Sequence, residues 1–435
     1  MIGPAAVKVL DLEAIEVALR RRALAIAAKA LERQLNADTS DHAGPSLPCP
    51  HCGQSARFAG RLLKSFQSVL GELTLERAYY HCSSCRTGFC PRDQALGLAD
   101  TALSPGVTRM TGLTAAMVSF AESSELLREL AGVPVDAKQV ERTAEALGRE
   151  IARDEQEVVE PATEAEIAPT MYLGVDGTGI PVRKEELEGR KGKQPDGSAK
   201  TREVKLCAVW SAESRDEEGQ AVRDAGSVSY SAAIESAAQR DVDEAPAEFW
   251  QRVEREARRR GYDRAARQAA LGDGALWIWN GVGEHLPNAI QIVDRAHAKE
   301  HLSNVAKAIF GPHSDLGQQW AKQHKDELEE GDVEAVLSAL AAHADSNEEA
   351  RKNYDYFDRN RERMRYADFH RQGLCTTTAV LESGCKTAIG ARLKRGGMHW
   401  TVAGADAIIA LRCCKLSGRF EDFWERRAAY HTASG

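Results

Sequence analysis

Apolar and polar positions divide the 435-residue chain into stretches of different period. Residues 7–35 repeat at helical spacing and predict an amphipathic helix rich in Ala and Arg. A polar stretch over 37–48 has the Asp, Gly, Ser and Pro of a linker. Within 66–80, Val69, Leu73, Leu75 and the tyrosines predict strands joined at Gly71. Helical spacing then runs from 104 to 151. Leu126, Leu127, Leu130 and Ala131 lead into Gly132-Val133-Pro134, and Val140, Ala144, Leu147 and Ile151 follow. A helix, a Gly-containing turn and a second helix form a helix-turn-helix pattern, which would put Gln139 and Arg142 against DNA. Simple packing of two helices is the plain alternative. The acidic run 154–166, punctuated by Pro161 and closed by Pro169, reads as a linker.

Beyond Pro169 the texture changes. Met171-Tyr-Leu-Gly-Val-Asp176-Gly-Thr-Gly-Ile-Pro-Val predicts a buried strand carrying a carboxylate. Strands are predicted at 204–210 and 228–231, a charged hairpin-like segment between 183 and 202, and a helix over 245–260. A second apolar run is broken at Asp273-Gly274, and a strand at 289–293 is closed by Asp294-Arg-Ala-His297. Residues 297–371 are helical and highly charged. Glu382 enters a helix in Thr378-Ala-Val-Leu-Glu-Ser-Gly-Cys-Lys, followed by basic and apolar residues through 411.

Length alters this picture by requiring about two to four domains. Composition, 43% hydrophobic and 28% charged, excludes wholesale disorder and collagen-like repeats. The longest apolar stretches fall short of the roughly 20 residues that cross a bilayer, and no signal peptide is legible. A cytoplasmic protein without a membrane partner is the expectation. The net charge of −8 argues against generic nucleic-acid binding, but it is unevenly distributed. Residues 386–395 hold Lys386, Arg392, Lys394 and Arg395 and no acidic residue.

Two candidate metal sites follow. Cys49-Pro-His-Cys52 and Cys82-Ser-Ser-Cys85 flank the predicted hairpin, the layout of a zinc ribbon that would hold one structural Zn2+. Disulfides and incidental cysteines are the alternatives, and His51, His81 and Cys90 lie close enough to substitute as ligands. Asp176, Asp273 and Glu382 form the second set. Hard cations such as Mg2+ or Mn2+ prefer oxygen ligands, and two of them serve phosphodiester transfer, with a basic tract beside them for a phosphate backbone. Taken singly, each Asp-Gly pair is an ordinary turn and Glu382 a solvated first-turn residue. His399 and Trp400 are candidates for stacking on a nucleotide, with core packing the commoner fate of Trp.

Three segments carry a resemblance to a known family: Gly174-Val-Asp-Gly-Thr-Gly-Ile-Pro-Val, Gly272-Asp-Gly-Ala-Leu-Trp-Ile-Trp-Asn and Leu381-Glu-Ser-Gly-Cys-Lys-Thr-Ala-Ile-Gly-Ala-Arg-Leu-Lys. They resemble those of the ISKra group of bacterial insertion-sequence transposases, over most of the chain. The resemblance implies a DDE transposase related to Mutator-like enzymes, with catalytic Asp176, Asp273 and Glu382 holding two Mg2+ or Mn2+ ions. It further implies an Asp-x-x-His element in Asp294 and His297 with a secondary active-site role, a surface turn and a helix-start His being the plain alternative, together with a helical insertion before Glu382 and a homodimer or higher oligomer on double-stranded DNA at the nucleoid. A nuclease of the same fold that cuts without joining, and a DNA-binding protein on a non-catalytic scaffold, are the competing functions. The expected fold class is α/β multi-domain: an N-terminal helix (1–36), a zinc ribbon (44–95), a helix-turn-helix-like region (104–160), and an RNase H-like catalytic core in two parts (170–298 and 373–430) around an all-α insertion (299–372).

Overall fold

The computed structural model describes residues 11–158, 160–164, 167–190, 194, 198–238 and 247–433. The helix start expected at residue 7 lies outside these residues, as do 159 and 165–166 of the acidic linker. So do 191–193 and 195–197 of the charged segment, and 245–246 of the helix expected from residue 245. The chain divides into two compact units, one of residues 1–147 and 420–435, the other of 148–419.

The first unit begins with α1 (Leu12–Ala37), capped by Asp11, whose carboxylate accepts from the Ala14 N–H. A four-stranded antiparallel sheet follows in sequential order: β1 (Ser46–Pro48), β2 (Ser55–Ser68), β3 (Gly71–Cys82) and β4 (Thr87–Phe89). Ala28, Leu31 and Leu35 of α1 pack on Phe66, Leu73, Leu75 and Leu98. Glu32 and Asn36 accept the backbone N–H groups of Thr74 and Glu76, which covers part of the β3 edge that β4 leaves unpaired. Short α2 (Pro91–Ala95) and α3 (Pro105–Met117) lead to α4 (Phe120–Leu126), which continues as one π turn to Ala131. Gly132, at φ 72°, ends it in the left-handed conformation that favours glycine, and α5 (Ala137–Glu157) follows.

In the second unit, β5 (Thr170–Pro181), β6 (Thr201–Ser211) and β9 (Ser229–Ala233) pair antiparallel, with a small hairpin of β7 (Ser214–Arg215) and β8 (Ala221–Val222) beside them. After α6 (Glu248–Arg259), the strands β10 (Arg267–Gly272) and β11 (Ile290–Val293), linked by α7 (Leu276–His285), add in parallel to β5. The sheet order is β11-β10-β5-β6-β9.

Five helices follow: α8 (Arg295–Phe310), α9 (Asp315–Glu330), α10 (Val333–Ala344), α11 (Glu348–Asn360) and α12 (Tyr366–Arg371). Asp294, Ser314, Asp332 and Asn347 cap the first four with their side chains, so the breaks between these helices are written in cap residues. The chain then returns to the sheet through α13 (Ala379–Gly384), a π turn over Cys385–Gly390, α14 (Ala391–Leu393) and α15 (Val402–Leu416). Gly384 packs on Leu206 and Tyr230, while Arg252 of α6 reaches Ser231, one residue along β9 and therefore on the opposite face. Thus α13 and α6 sandwich the sheet. The last helix, α16 (Phe420–Ala433), belongs to the first unit.

Candidate metal centre and active site

The cysteines form the tighter cluster. Cys49 and Cys52 bracket one tight turn, closed by Gly53 N–H to Cys49 C=O (2.8 Å), and Cys82 and Cys85 bracket another. Each turn ends on a left-handed residue, Gly53 (φ 70°) and Arg86 (φ 59°). The Sγ atoms of Cys49 and Cys85, and of Cys52 and Cys82, stand 3.6 Å apart, and all four lie within 4.8 Å of one another. A disulfide needs ~2.05 Å. A tetrahedron of Zn–S bonds of ~2.3 Å has edges of about 3.8 Å. The set can therefore hold a metal such as zinc, and the Thr87 hydroxyl pulls the Cys85 thiol down to about 6, toward the thiolate that a metal needs. His51 and His81 are exposed and Cys90 is the N-cap residue of α2; none joins the cluster.

The carboxylates are arranged differently. Gly174 pairs with Leu271, and Gly272 with Val293. Continuing those registers past the pairs puts Asp176, within β5, level with Asp273 and Asp294, the residues that directly follow the carboxyl ends of β10 and β11. Ligands of open α/β sheets bind at such strand ends. The two Asp-Gly pairs are not equivalent. Gly177 lies in mid-strand, where a Cβ would stand 2.4 Å from Glu203 Oε1, so glycine here makes room for a cross-strand side chain. Gly274 is a true turn at φ 91°, and the Tyr356 ring occupies the space of its Cβ.

Asp176 is half-buried and accepts from the Gly177 N–H (2.6 Å) and the Cys385 thiol (3.2 Å). Burial lifts its carboxyl above the ordinary carboxylate range; the charges of Asp273 and Glu203 add to the lift, and the two hydrogen bonds oppose it. An oxygen-donor pair with excess negative charge suits a hard divalent cation. Asp273 Oδ1 accepts from the Ala275 N–H (2.9 Å), and its backbone carbonyl accepts from the Tyr356 hydroxyl (2.9 Å).

Glu382 sits on α13, one turn before Cys385. Its carboxylate is exposed and paired with Lys386, whose ammonium holds it below the usual range. Among the described residues, the four cysteines are the one group of three or more His, Cys, Asp or Glu side chains whose donor atoms converge within 4.8 Å. Asp176, Asp273 and Glu382 do not converge to that distance.

Asp294 is buried and fully engaged. It caps α8 through the His297 N–H (2.7 Å) and accepts both the N–H and the hydroxyl of Thr378, the residue that begins α13. It thereby ties the helix carrying Glu382 to the end of β11. His297 is half-exposed and meets His301 Nε2 to Nε2 at 3.2 Å. The Asn353 amide donates to Glu349 C=O, so its Oδ1 accepts from His301 Nδ1–H (2.6 Å) and leaves His301 Nε2 to accept from His297. The His301 ring stacks on Tyr356 at 4.1 Å.

The basic tract is split. Lys386, Lys394 and Arg395 are exposed, and Lys394 reaches the Thr178 hydroxyl, on the same strand face as Asp176. Arg392 is fully buried over the Trp400 ring and so does not belong to the basic surface. Trp400 is buried too, with its indole N–H on Leu393 C=O (3.0 Å), which leaves it in the core. Arg142 is exposed on α5 and holds Gln139 (3.0 Å). Sequence reading gave no role to Cys385, Tyr356, His301 or Thr378. Of these, Thr378 and Cys385 lay within the segment around Glu382, about one helical turn to either side of it.

Fold and site together define a mixed α/β protein with a cluster of four cysteines that could bind a metal. The chain matches the model of an uncharacterised protein family, UPF0236, over residues 57–427, and it belongs to that family. No curated protein matches it. Among the described residues no helix is long and apolar enough to cross a membrane.

Proposed function

We propose that the chain is a DDE-type DNA transposase of the kind its motifs resemble, cleaving and joining DNA at the carboxyl end of the mixed sheet. The observation that carries the reading is the register that sets Asp176 of β5 level with Asp273, the residue after the adjacent parallel β10, with the Asp294-anchored start of α13 bringing Glu382 toward them. The antiparallel β5–β6–β9 half extended by parallel β10 and β11 supports an RNase H-like core. Asp176 and Asp273, joined by Glu382 once it leaves Lys386, would hold Mg2+ or Mn2+. Such ions supply an activated nucleophile and stabilise the leaving oxygen. Asp294 acts as the tether of α13, and Lys394 supplies positive charge beside Asp176 for a phosphate backbone. Lys386, Arg395, Gln139 and Arg142 are further DNA contacts, and the cysteine cluster holds a structural zinc. Handling two DNA ends together calls for a dimer or larger assembly.

Asp176→Asn and Asp273→Asn should each abolish strand transfer and cleavage in Mn2+ while DNA affinity stays; normal cutting by either variant would sink the reading. One observation favours a second reading, a zinc-ribbon DNA-binding protein on a non-catalytic scaffold: Glu382 pairs with Lys386 and the three carboxylates stand apart. That reading requires DNA binding without divalent-dependent cleavage by the unmutated chain.

A further inference from the structure

The helical insertion contains a cleft that none of the preceding roles uses. It lies between α8 and α9, has a volume of about 470 Å3, and is lined by Lys299, Lys307, Lys322 and Lys325 against a single carboxylate, Asp326. On α8, Lys299, Ser303 and Lys307 recur at intervals of four. On α9, Gln318, Lys322 and Lys325 recur at four and three, so each set lies on one helix face. The lysines are not equally committed. Lys299 is held by Glu329, and Lys322 by Asp326 at 3.0 Å. Lys307 and Lys325 have no carboxylate partner among the described residues.

We propose that this cleft grips the phosphate backbone of duplex DNA through Lys307 and Lys325, a contact that rests on the transposase reading. Two uncommitted ammonium groups facing one cleft, in a chain of net charge −8, are a local concentration of positive charge complementary to a polyanion. The distance fits as well. Lys307 lies thirteen residues beyond Asp294, counted from its number, hence ~20 Å along α8 from the carboxylate row. A duplex lying along α8 with a phosphate at the aspartates therefore passes the lysines about six base pairs away, at 3.4 Å per pair. The insertion is then an arm that holds DNA flanking the cut.

The test is binding of the full chain to a fluorescent duplex over a series of salt concentrations. The Lys307→Gln/Lys325→Gln double variant should lose roughly 10- to 100-fold in affinity at 0.1 M salt, and its slope of log K against log salt should flatten by about 2. Lys352→Gln, an exposed lysine of α11 paired with Glu348, should leave the slope unchanged. A double variant with the unmutated slope overturns the cleft contact while leaving DNA binding, and the transposase reading, standing. Equal losses in Lys352→Gln mean diffuse attraction and overturn it as well. Saturable tripolyphosphate binding that only the double variant loses, with its DNA slope intact, assigns the cleft to a small anion and overturns the DNA contact. A chain that binds no duplex at all overturns both readings.

Discussion

The four cysteines come from one hairpin and its flanks, and Cys49 and Cys85, 36 positions apart, already meet at 3.6 Å. The carboxylate row is assembled from distant elements, and its contact between Cys385 and Asp176 spans 209 positions. The thiols of the first cluster belong to local backbone turns. The second is open, Glu382 beside it faces solvent, and its geometry is fixed by Thr378, Tyr356 and the core of the unit. A closed four-thiolate shell makes the fold depend on the metal. An open row requires the fold to stand first.

Metal removal separates the two most sharply. Apparent binding energies of structural zinc run ~10–16 kcal/mol in zinc-finger peptides. Chelation, or Cys82→Ser, should therefore remove one equivalent of zinc and strip hydrogen-exchange protection from β1–β4 around Ala56, Ala78 and Tyr80, the buried cluster that includes Cys49 and Cys82. Protection in β5, β6 and β10 should persist. A ribbon that keeps its protection without metal would erase the contrast.

The sheet's own brace gives the next largest effect. Glu256 is completely buried and accepts from Arg419 (2.8 Å) and Arg259 (2.7 Å), while Arg419 also holds Glu155 (2.9 Å). Burial alone would raise the Glu256 carboxyl; Arg419 and Arg259 outweigh it and hold it below 4.5. A lowered carboxyl contributes stability that is complete above its unfolded value and is lost as the pH falls through the folded one. Acid should thus melt the second unit through this group below about pH 4.5. Arg419→Ala strands buried charge and should cost about 3–5 kcal/mol in chemical denaturation, with zinc content unchanged.

The same contrast explains what the sequence made legible. Cys-x-x-Cys pairs on a hairpin are local, so spacing alone announced the four-cysteine cluster. The run Met171–Val175 announced a strand because every one of its residues is buried. The two Asp-Gly pairs read alike, yet one continues through β5 and the other turns, because Glu203 and Tyr356 decide what each glycine meets. The basic tract read as one surface, but a helical turn points successive residues in different directions, and Arg392 turned inward onto Trp400. Contacts such as Thr378 to Asp294 and Tyr356 to Asp273 join elements 84 and 83 positions apart, and no local period encodes them.

Asp294 sharpens the comparison at intermediate size. If it tethers α13 rather than binding a cation, Asp294→Ala removes a helix cap and two charge-accepted hydrogen bonds. The loss should be about 2–4 kcal/mol of unfolding free energy. Asp294→Asn retains an acceptor oxygen and should recover most of it, with Mn2+ affinity close to that of the unmutated chain. A large loss of Mn2+ affinity in the Asn variant at near-normal stability would make Asp294 a ligand instead.

The smallest change tests the least visible support. Tyr356→Phe keeps the ring that packs on Gly274 and stacks on His301, and deletes only the hydroxyl that donates to Asp273 C=O. Thermal stability should fall by about 0.5–1.5 kcal/mol, the net worth of one hydrogen bond. The Asp273 carboxylate, however, leaves the same residue whose carbonyl is released, so its direction loosens. Groups that orient ligands typically carry 10- to 100-fold in metal affinity. Mn2+ binding measured calorimetrically on the full chain should weaken by roughly tenfold, out of proportion to the stability change. A variant whose Mn2+ affinity is unmoved would mean that the turn at Gly274 alone fixes Asp273. The carboxylate site would then be locally built after all, on the same plan as the cysteines.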